Sequence, residues 1–185
     1  MGLLLEQRSD LIKVKDGFGN TVLHYAAQKN SGKMVEMLLG KYRSLAYQKN
    51  HDGRSSLHVA AVHNSSAAIK EILKLCPDAA EQVDDTGKNA LHIAVISRTV
   101  GALKCLLKNI HPDEIINQAD KDGNTPLHLA AKNSRIHSTL LLLNDNRVDP
   151  CILNKEGRTP RAIIDSLDEM DTYEVSNSRP ETFQD

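Results

Sequence analysis

One nine-residue phrase recurs along this chain at nearly constant spacing, and that recurrence restricts the possible folds more than any other feature. The copies are Gly19-Asn-Thr-Val-Leu-His-Tyr-Ala-Ala27, Gly53-Arg-Ser-Ser-Leu-His-Val-Ala-Ala61, Gly87-Lys-Asn-Ala-Leu-His-Ile-Ala-Val95 and Gly123-Asn-Thr-Pro-Leu-His-Leu-Ala-Ala131, with a decayed fifth copy, Gly157-Arg-Thr-Pro-Arg161. Successive glycines step by 34, 34, 36 and 34 residues. Fourteen residues after His24, His58, His92 and His128 stand the aliphatic pairs Leu38-Leu39, Ile72-Leu73, Leu106-Leu107 and Leu142-Leu143. A period of this length means stacked units that are too small to fold alone and that bury one continuous core between neighbours.

The physics of a single unit follows from its residues. Gly19, Gly53, Gly87, Gly123 and Gly157 each sit in a short polar stretch, where a tight turn calls for positive φ. Thr21, Ser55, Asn89, Thr125 and Thr159 then offer a side-chain oxygen to cap a helix, and Pro126 and Pro160 occupy the next position, which tolerates proline. The Leu-His-x-Ala-Ala core puts small residues where a neighbouring backbone comes close, and a second helix supplies the bulky pair that covers it. The expected architecture is all-α: paired antiparallel helices joined by hairpin-like turns. At 3% aromatic residues, with 23 Leu and 16 Ala, the core must be aliphatic and helical.

The Gly-x-Thr-Pro-Leu-His-x-Ala-Ala pattern resembles the ankyrin repeat, over roughly residues 4–168. The connectors depart from the common Gly-Ala-Asp-Val-Asn ending. They read Cys76-Pro-Asp-Ala-Ala-Glu-Gln-Val-Asp84 and His111-Pro-Asp-Glu-Ile-Ile-Asn-Gln-Ala-Asp120, which is similar to plant ankyrin proteins of the accelerated-cell-death type. That resemblance implies a cytosolic protein-binding domain ahead of a C-terminal PGG membrane domain, in a parent that acts in defence and cell-death signalling. In ankyrin-like units the repeat histidine is expected to bond the turn and the capping hydroxyl, tying the hairpin to its own helix.

Other function classes find little support in the residues. No apolar run exceeds four residues, against the roughly 20 that span a bilayer. Cys76, Cys105 and Cys151 form no C-x-x-C pair and read as reduced cytosolic thiols. Residues 1–164 carry 22 basic and 17 acidic groups, and residues 165–185 carry one and seven, so a +5 body precedes a −6 tail. A body charge that small, with no Lys/Arg cluster and few stacking aromatics, gives little electrostatic basis for nucleic-acid binding. Eight histidines fall at no zinc-like spacing, and no nucleophile elbow, phosphate loop or dinucleotide fingerprint occurs. The expectation is a non-enzymatic module with no metal or cofactor. Asp84-Asp85 and Asp113-Glu114 read as solvated turn residues.

The repeat register also divides the chain and nominates a binding surface. A partial leading repeat is expected at residues 3–15, with repeats starting near 16, 50, 84, 120 and 154. Leu4-Leu5 would be the aliphatic pair of a unit lacking its first helix, leaving an apolar edge prone to weak self-association. The fifth unit replaces the core Leu with Arg161 and the tying His with Ala162, so it is expected to cap the array, followed by a disordered acidic tail over 169–185. Residues four and five places after each repeat histidine are expected to face a groove: Gln28, Val62, Ile96 and Lys132, with Lys29, His63, Ser97 and Asn133 beside them. Phe18, Asn20, Asp52, Arg54, Thr86, Lys88 and Asp122 are expected at the turn fingertips. Val62 and Ile96 should form one apolar patch flanked by Arg54 and Lys88, the anchor for a protein partner. The rival expectation is a spacer that packs only on the rest of its own parent chain.

Overall fold

The computed structural model describes residue 12 and residues 14–167. The expected leading pair Leu4-Leu5 and the acidic tail lie outside the described residues. Each unit consists of a turn, a short helix, a longer second helix and a connector. The first helices are α1 (Val22–Gln28), α3 (Ser56–Val62), α5 (Ala90–Ile96) and α8 (Pro126–Lys132). The second helices are α2 (Gly32–Lys41), α4 (Ser66–Leu75), α6 (Val100–Asn109) and α9 (Ile136–Leu143). Single 3-10 turns over Arg43–Tyr47 and Pro77–Glu81, and a one-turn helix, α7 (Asp113–Ile116), form the connectors. A last first-helix, α10, runs over 160–167. Among the described residues there is no strand.

The turns are organised by a residue that the sequence reading left as a solvated fingertip. Asp84 is only 8% exposed. Its Oδ1 accepts from the backbone N–H of Thr86 and Lys88 and from the Thr86 hydroxyl, at 2.8, 3.0 and 2.6 Å. Asp16, Asn50, Asp120 and Asn154 accept the same pair of amides, two and four residues on, in their own turns. A carboxylate or amide oxygen here satisfies donors that the tight turn leaves unpaired, so burial of Asp84 corrects the earlier expectation. Asp85 is exposed as expected. The turn glycines take φ between 70° and 80°. At Gly123 a Cβ would stand 2.6 Å from the amide nitrogen of Lys155 in the next turn, so both the conformation and the close approach exclude a side chain.

Each repeat histidine staples two units, not one. His58 Nδ1 accepts from the Ser55 amide (3.2 Å) and Nε2 lies 2.9 Å from the Lys88 carbonyl, one unit further on. His24 reaches Arg54 O, His92 reaches Asn124 O and His128 reaches Arg158 O in the same way. The expectation of a tie within one hairpin held only for Nδ1. Nε2 spans the stack because first helices pack close enough for an imidazole to reach the following turn. A donor amide on Nδ1 and an acceptor carbonyl on Nε2 fix the neutral Nε2–H tautomer. Burial pushes the pKa of His58 and of His92 down to about 4, and those of His24 and His128 down as well.

The core is a single aliphatic column. Leu23, Leu57, Leu91 and Leu127 of the first helices are buried with Leu39, Ile72, Leu106 and Leu142 of the second, and Ala27, Ala61 and Ala94 fill the close approaches. Asn30 and Asn64 lie in the left-handed region, with φ of 52° and 55°. Their Oδ1 atoms accept from the first-turn amides of the next second helix, Asn30 from Ala67 and Ala68 and Asn64 from Ala102. The same position in the third and fourth units is held by Arg98 and Ser134, also at positive φ.

Candidate partner-binding groove

First helices and turns together form one face of the stack, and its walls contain part of the expected site. A cavity of about 180 Å³ is bounded by Asn20 and Asp52 from the turns, Arg54 after the second turn, Val62 at the end of α3 and His63 beyond it, with Gln28 opposite. Tyr25 and Val59 complete the wall. The sequence reading had not named these two, each one place after a repeat histidine. The signal was present: on a helix, positions one and four or five after the histidine share a face. The Tyr25 hydroxyl donates to Asp16, and this bond holds the Asp16 carboxyl down to about 2.

Arg54 dominates the chemistry of this cavity. Its backbone carbonyl is used by His24, so the residue is anchored by its main chain. Its side chain is half-buried, and Nε is buried without a hydrogen-bond partner among the described residues. A guanidinium at the wall of a cavity beside aliphatic side chains favours a ligand that brings an acceptor oxygen.

The remaining expected site residues lie outside this cavity. Phe18 is 73% exposed at the first fingertip, and its carbonyl accepts from the His51 amide of the next. Lys29, Lys132 and Asp122 are exposed. Ile96 is 39% exposed and is not among the walls of this cavity, which Val62 lines. Lys88 does not flank a patch as a free cation. Its side chain is 18% exposed, with Nζ 3.4 Å from Asp120 Oδ2 and 3.1 Å from the Thr86 hydroxyl. Thr86 is tied in turn to Asp84, so this fingertip is internally paired.

Two of the three thiols pack inside the stack, and Cys151 is exposed. Cys76 is buried, and Cys105, half-buried, sits with Sγ 3.5 Å from Ser66 O; burial raises the pKa of both. Among the described residues no group of three or more His, Cys, Asp or Glu is placed to hold a metal ion, and no helix is long and apolar enough to cross a membrane.

Comparison with known proteins agrees with this architecture. A family model described as ankyrin repeats (3 copies) matches residues 2–77 and 57–154. The chain belongs to the ankyrin-repeat family, whose repeats are protein-interaction modules. It is similar to transcription factor MBP1 of Kluyveromyces lactis, 38% identical over 78 residues, which is 37% of this chain and 10% of that protein. It is also similar to oxysterol-binding protein homolog 2 of Saccharomyces cerevisiae, 43% identical over 51 residues, which is 28% of this chain and 4% of the relative. The matched stretch thus spans a tenth or less of the length of either relative.

Proposed function

We propose that this chain is a protein-binding module whose partner seats on the groove face, across the cavity at Arg54 and along the row that continues through Ile96. The observation that carries this reading is the half-buried Arg54, set in a cavity with Val59, Val62 and the exposed Tyr25. An aromatic and an arginine beside an aliphatic floor are the side chains in which binding energy concentrates. Gln28, His63 and Asp52 form the polar part of the cavity wall, and the exposed Lys29, Lys132, Phe18 and Asp122 extend the surface beyond it. The four repeat histidines, by contrast, have both ring nitrogens engaged in hydrogen bonds that hold the stack together.

The setting of the parent protein is a separate proposal, carried by the connectors alone. The Pro-containing stretches around Pro77–Glu81 and Asp113–Ile116 support a cytosolic domain of a plant defence or cell-death signalling protein that is anchored elsewhere in its chain.

A photo-crosslinking amino acid tests the binding face in the native cell. Placed at Gln28 in the groove it yields discrete protein adducts, and placed at the exposed Lys74 on the second-helix face it does not. Equal adduct patterns from both positions refute the reading. Adducts formed only with other segments of the same parent chain establish the spacer role instead.

A further inference from the structure

The second helices of the second and third units are capped by the unit before them, and that of the fourth is not. The first amides of an α-helix have no partner inside the helix. For α4 the acceptor is Asn30 Oδ1, which takes the Ala67 and Ala68 amides at 2.9 and 3.2 Å; for α6 it is Asn64 Oδ1, which takes the Ala102 amide at 2.6 Å. The residue at that register before α9 is Arg98, whose guanidinium accepts nothing. The N-cap position, Ser65 in α4 and Thr99 in α6, is Arg135 in α9 and makes no side-chain cap bond. Among the described residues no acceptor meets the amides of His137 and Ser138, the counterparts of Ala67 and Ala68.

A buried hydroxyl points independently to a ligand at the same place. Ser138 stands where α4 and α6 carry Ala68 and Ala102, so the fold does not need an oxygen there. Ser138 is only 2% exposed, its hydroxyl has no hydrogen bond among the described residues, and it is a wall of a cavity of about 420 Å³. A hydroxyl removed from water without a partner is costly, and an acceptor oxygen entering the cavity relieves that cost. Arg98, Arg135 and His137 line the same cavity, and no carboxylate does. Neither guanidinium has a hydrogen bond or an ion pair among the described residues.

We propose that this cavity is a phosphate-binding site, in which a phosphate group, free or carried as a monoester on a partner's side chain, takes the place of the missing Asn oxygen. Its oxygens accept from the amides of His137 and Ser138 and from the Ser138 hydroxyl, while Arg98 and Arg135 supply the counter-charge. Free amides at the positive end of a helix favour an anion. Two guanidinium charges match the roughly −1.5 to −2 that a phosphate monoester carries near neutral pH, whereas a carboxylate brings about half of that. The donor set points the same way: two amides, a hydroxyl and two planar forks suit the three oxygens of a phosphate better than the two of a carboxylate. None of these residues is a wall of the cavity at Arg54, so the site stands apart from the groove.

Amide resonances of the full chain, followed by NMR during titration with sodium phosphate at neutral pH, test the site against sodium chloride and sodium acetate of equal ionic strength. The His137 and Ser138 amides should shift saturably with phosphate and with neither of the other salts. Arg98→Asn brings in the oxygen that Asn64 supplies one unit earlier and removes one charge, so phosphate affinity should fall about tenfold or more while the thermal midpoint does not fall. Ser138→Ala, which restores the residue of α4 and α6, should weaken binding about fivefold. The same titration with O-phosphoserine separates the sources: tighter binding than inorganic phosphate places the group on a partner's side chain, equal binding assigns a free ion, and both keep phosphate as the ligand. Shifts that do not saturate, that acetate reproduces, or that Arg98→Asn leaves undiminished overturn the proposal.

Discussion

Acidification should unfold this protein in a pH window set by its stapling histidines. His58 and His92 are fully buried, and both have folded-state pKa values near 4 against 6.5 when unfolded. The unfolded chain therefore binds protons between pH 6.5 and 4 that the folded chain refuses. The stability these rings contribute is complete above pH 6.5 and is lost as pH falls toward 4. Going from pH 7.5 to 5 costs about 2 kcal/mol for each ring, on the order of 4 kcal/mol for the two. His24 and His128, shifted the same way, add to the slope. The carboxylates that are lowered in the folded state, Asp16, Asp84 and Asp145, begin to lose their contribution only as pH falls through the ordinary carboxylate range, so the window above it belongs to histidine. Urea titrations at half-unit steps of pH measure it. His58→Gln removes one titrating staple: it should cost about 1–3 kcal/mol at pH 7.5 through the lost hydrogen bonds and should reduce the dependence on pH between 6.5 and 4. Stability that is flat across this window, or a slope unchanged in His58→Gln, refutes the reasoning.

Three further substitutions probe the unit. Gly123→Ala should destabilise by about 2 kcal/mol or more in a urea melt, because it forces a side chain into positive φ and against the Lys155 amide; a neutral result contradicts the turn geometry. Arg98→Asn should stabilise by about 1 kcal/mol, since Asn tolerates the left-handed conformation that Arg98 holds at φ 59° and restores the capping oxygen that Asn64 provides one unit earlier; no gain means that the register does not transfer. Leu103→Ala, at a site with no solvent exposure, should cost about 2–5 kcal/mol and lower the midpoint of the whole array in one transition; a split transition would show that neighbouring units do not share their stability.

Much of the fold was legible because the same information is written four times. The glycine, capping residue, histidine and aliphatic pair each recur in register, so helix pairing and positive φ followed from local rules. What the sequence withheld depends on distances between units. Whether His58 Nε2 closes on its own hairpin or on Lys88 is decided by how near the next turn stacks. The burial of Asp84 follows from its own turn closing round its carboxylate through the two-and-four hydrogen-bond pattern, as at Asn154 in the last turn. Of the expected groove row and its neighbours, Gln28, Val62, His63 and Arg54 line one cavity, and Ile96 and Lys132 do not. Lys88 was misread because Asp120, its ion partner, belongs to the following unit. Tyr25 and Val59 were missed by counting only the positions at the end of each first helix.

The central claim is that the groove side chains are available for binding while the main chain and the histidines hold the stack. The most direct measurement combines two readouts on Arg54→Glu: groove crosslinking from Gln28 and the thermal melt. The account predicts that crosslinking falls about thirtyfold, as for loss of one anchoring side chain, while the melt stays within about 2 °C of the parent, because His24 bonds the backbone carbonyl of residue 54 and not its side chain. Undiminished crosslinking, or a melt lowered by many degrees, would contradict it.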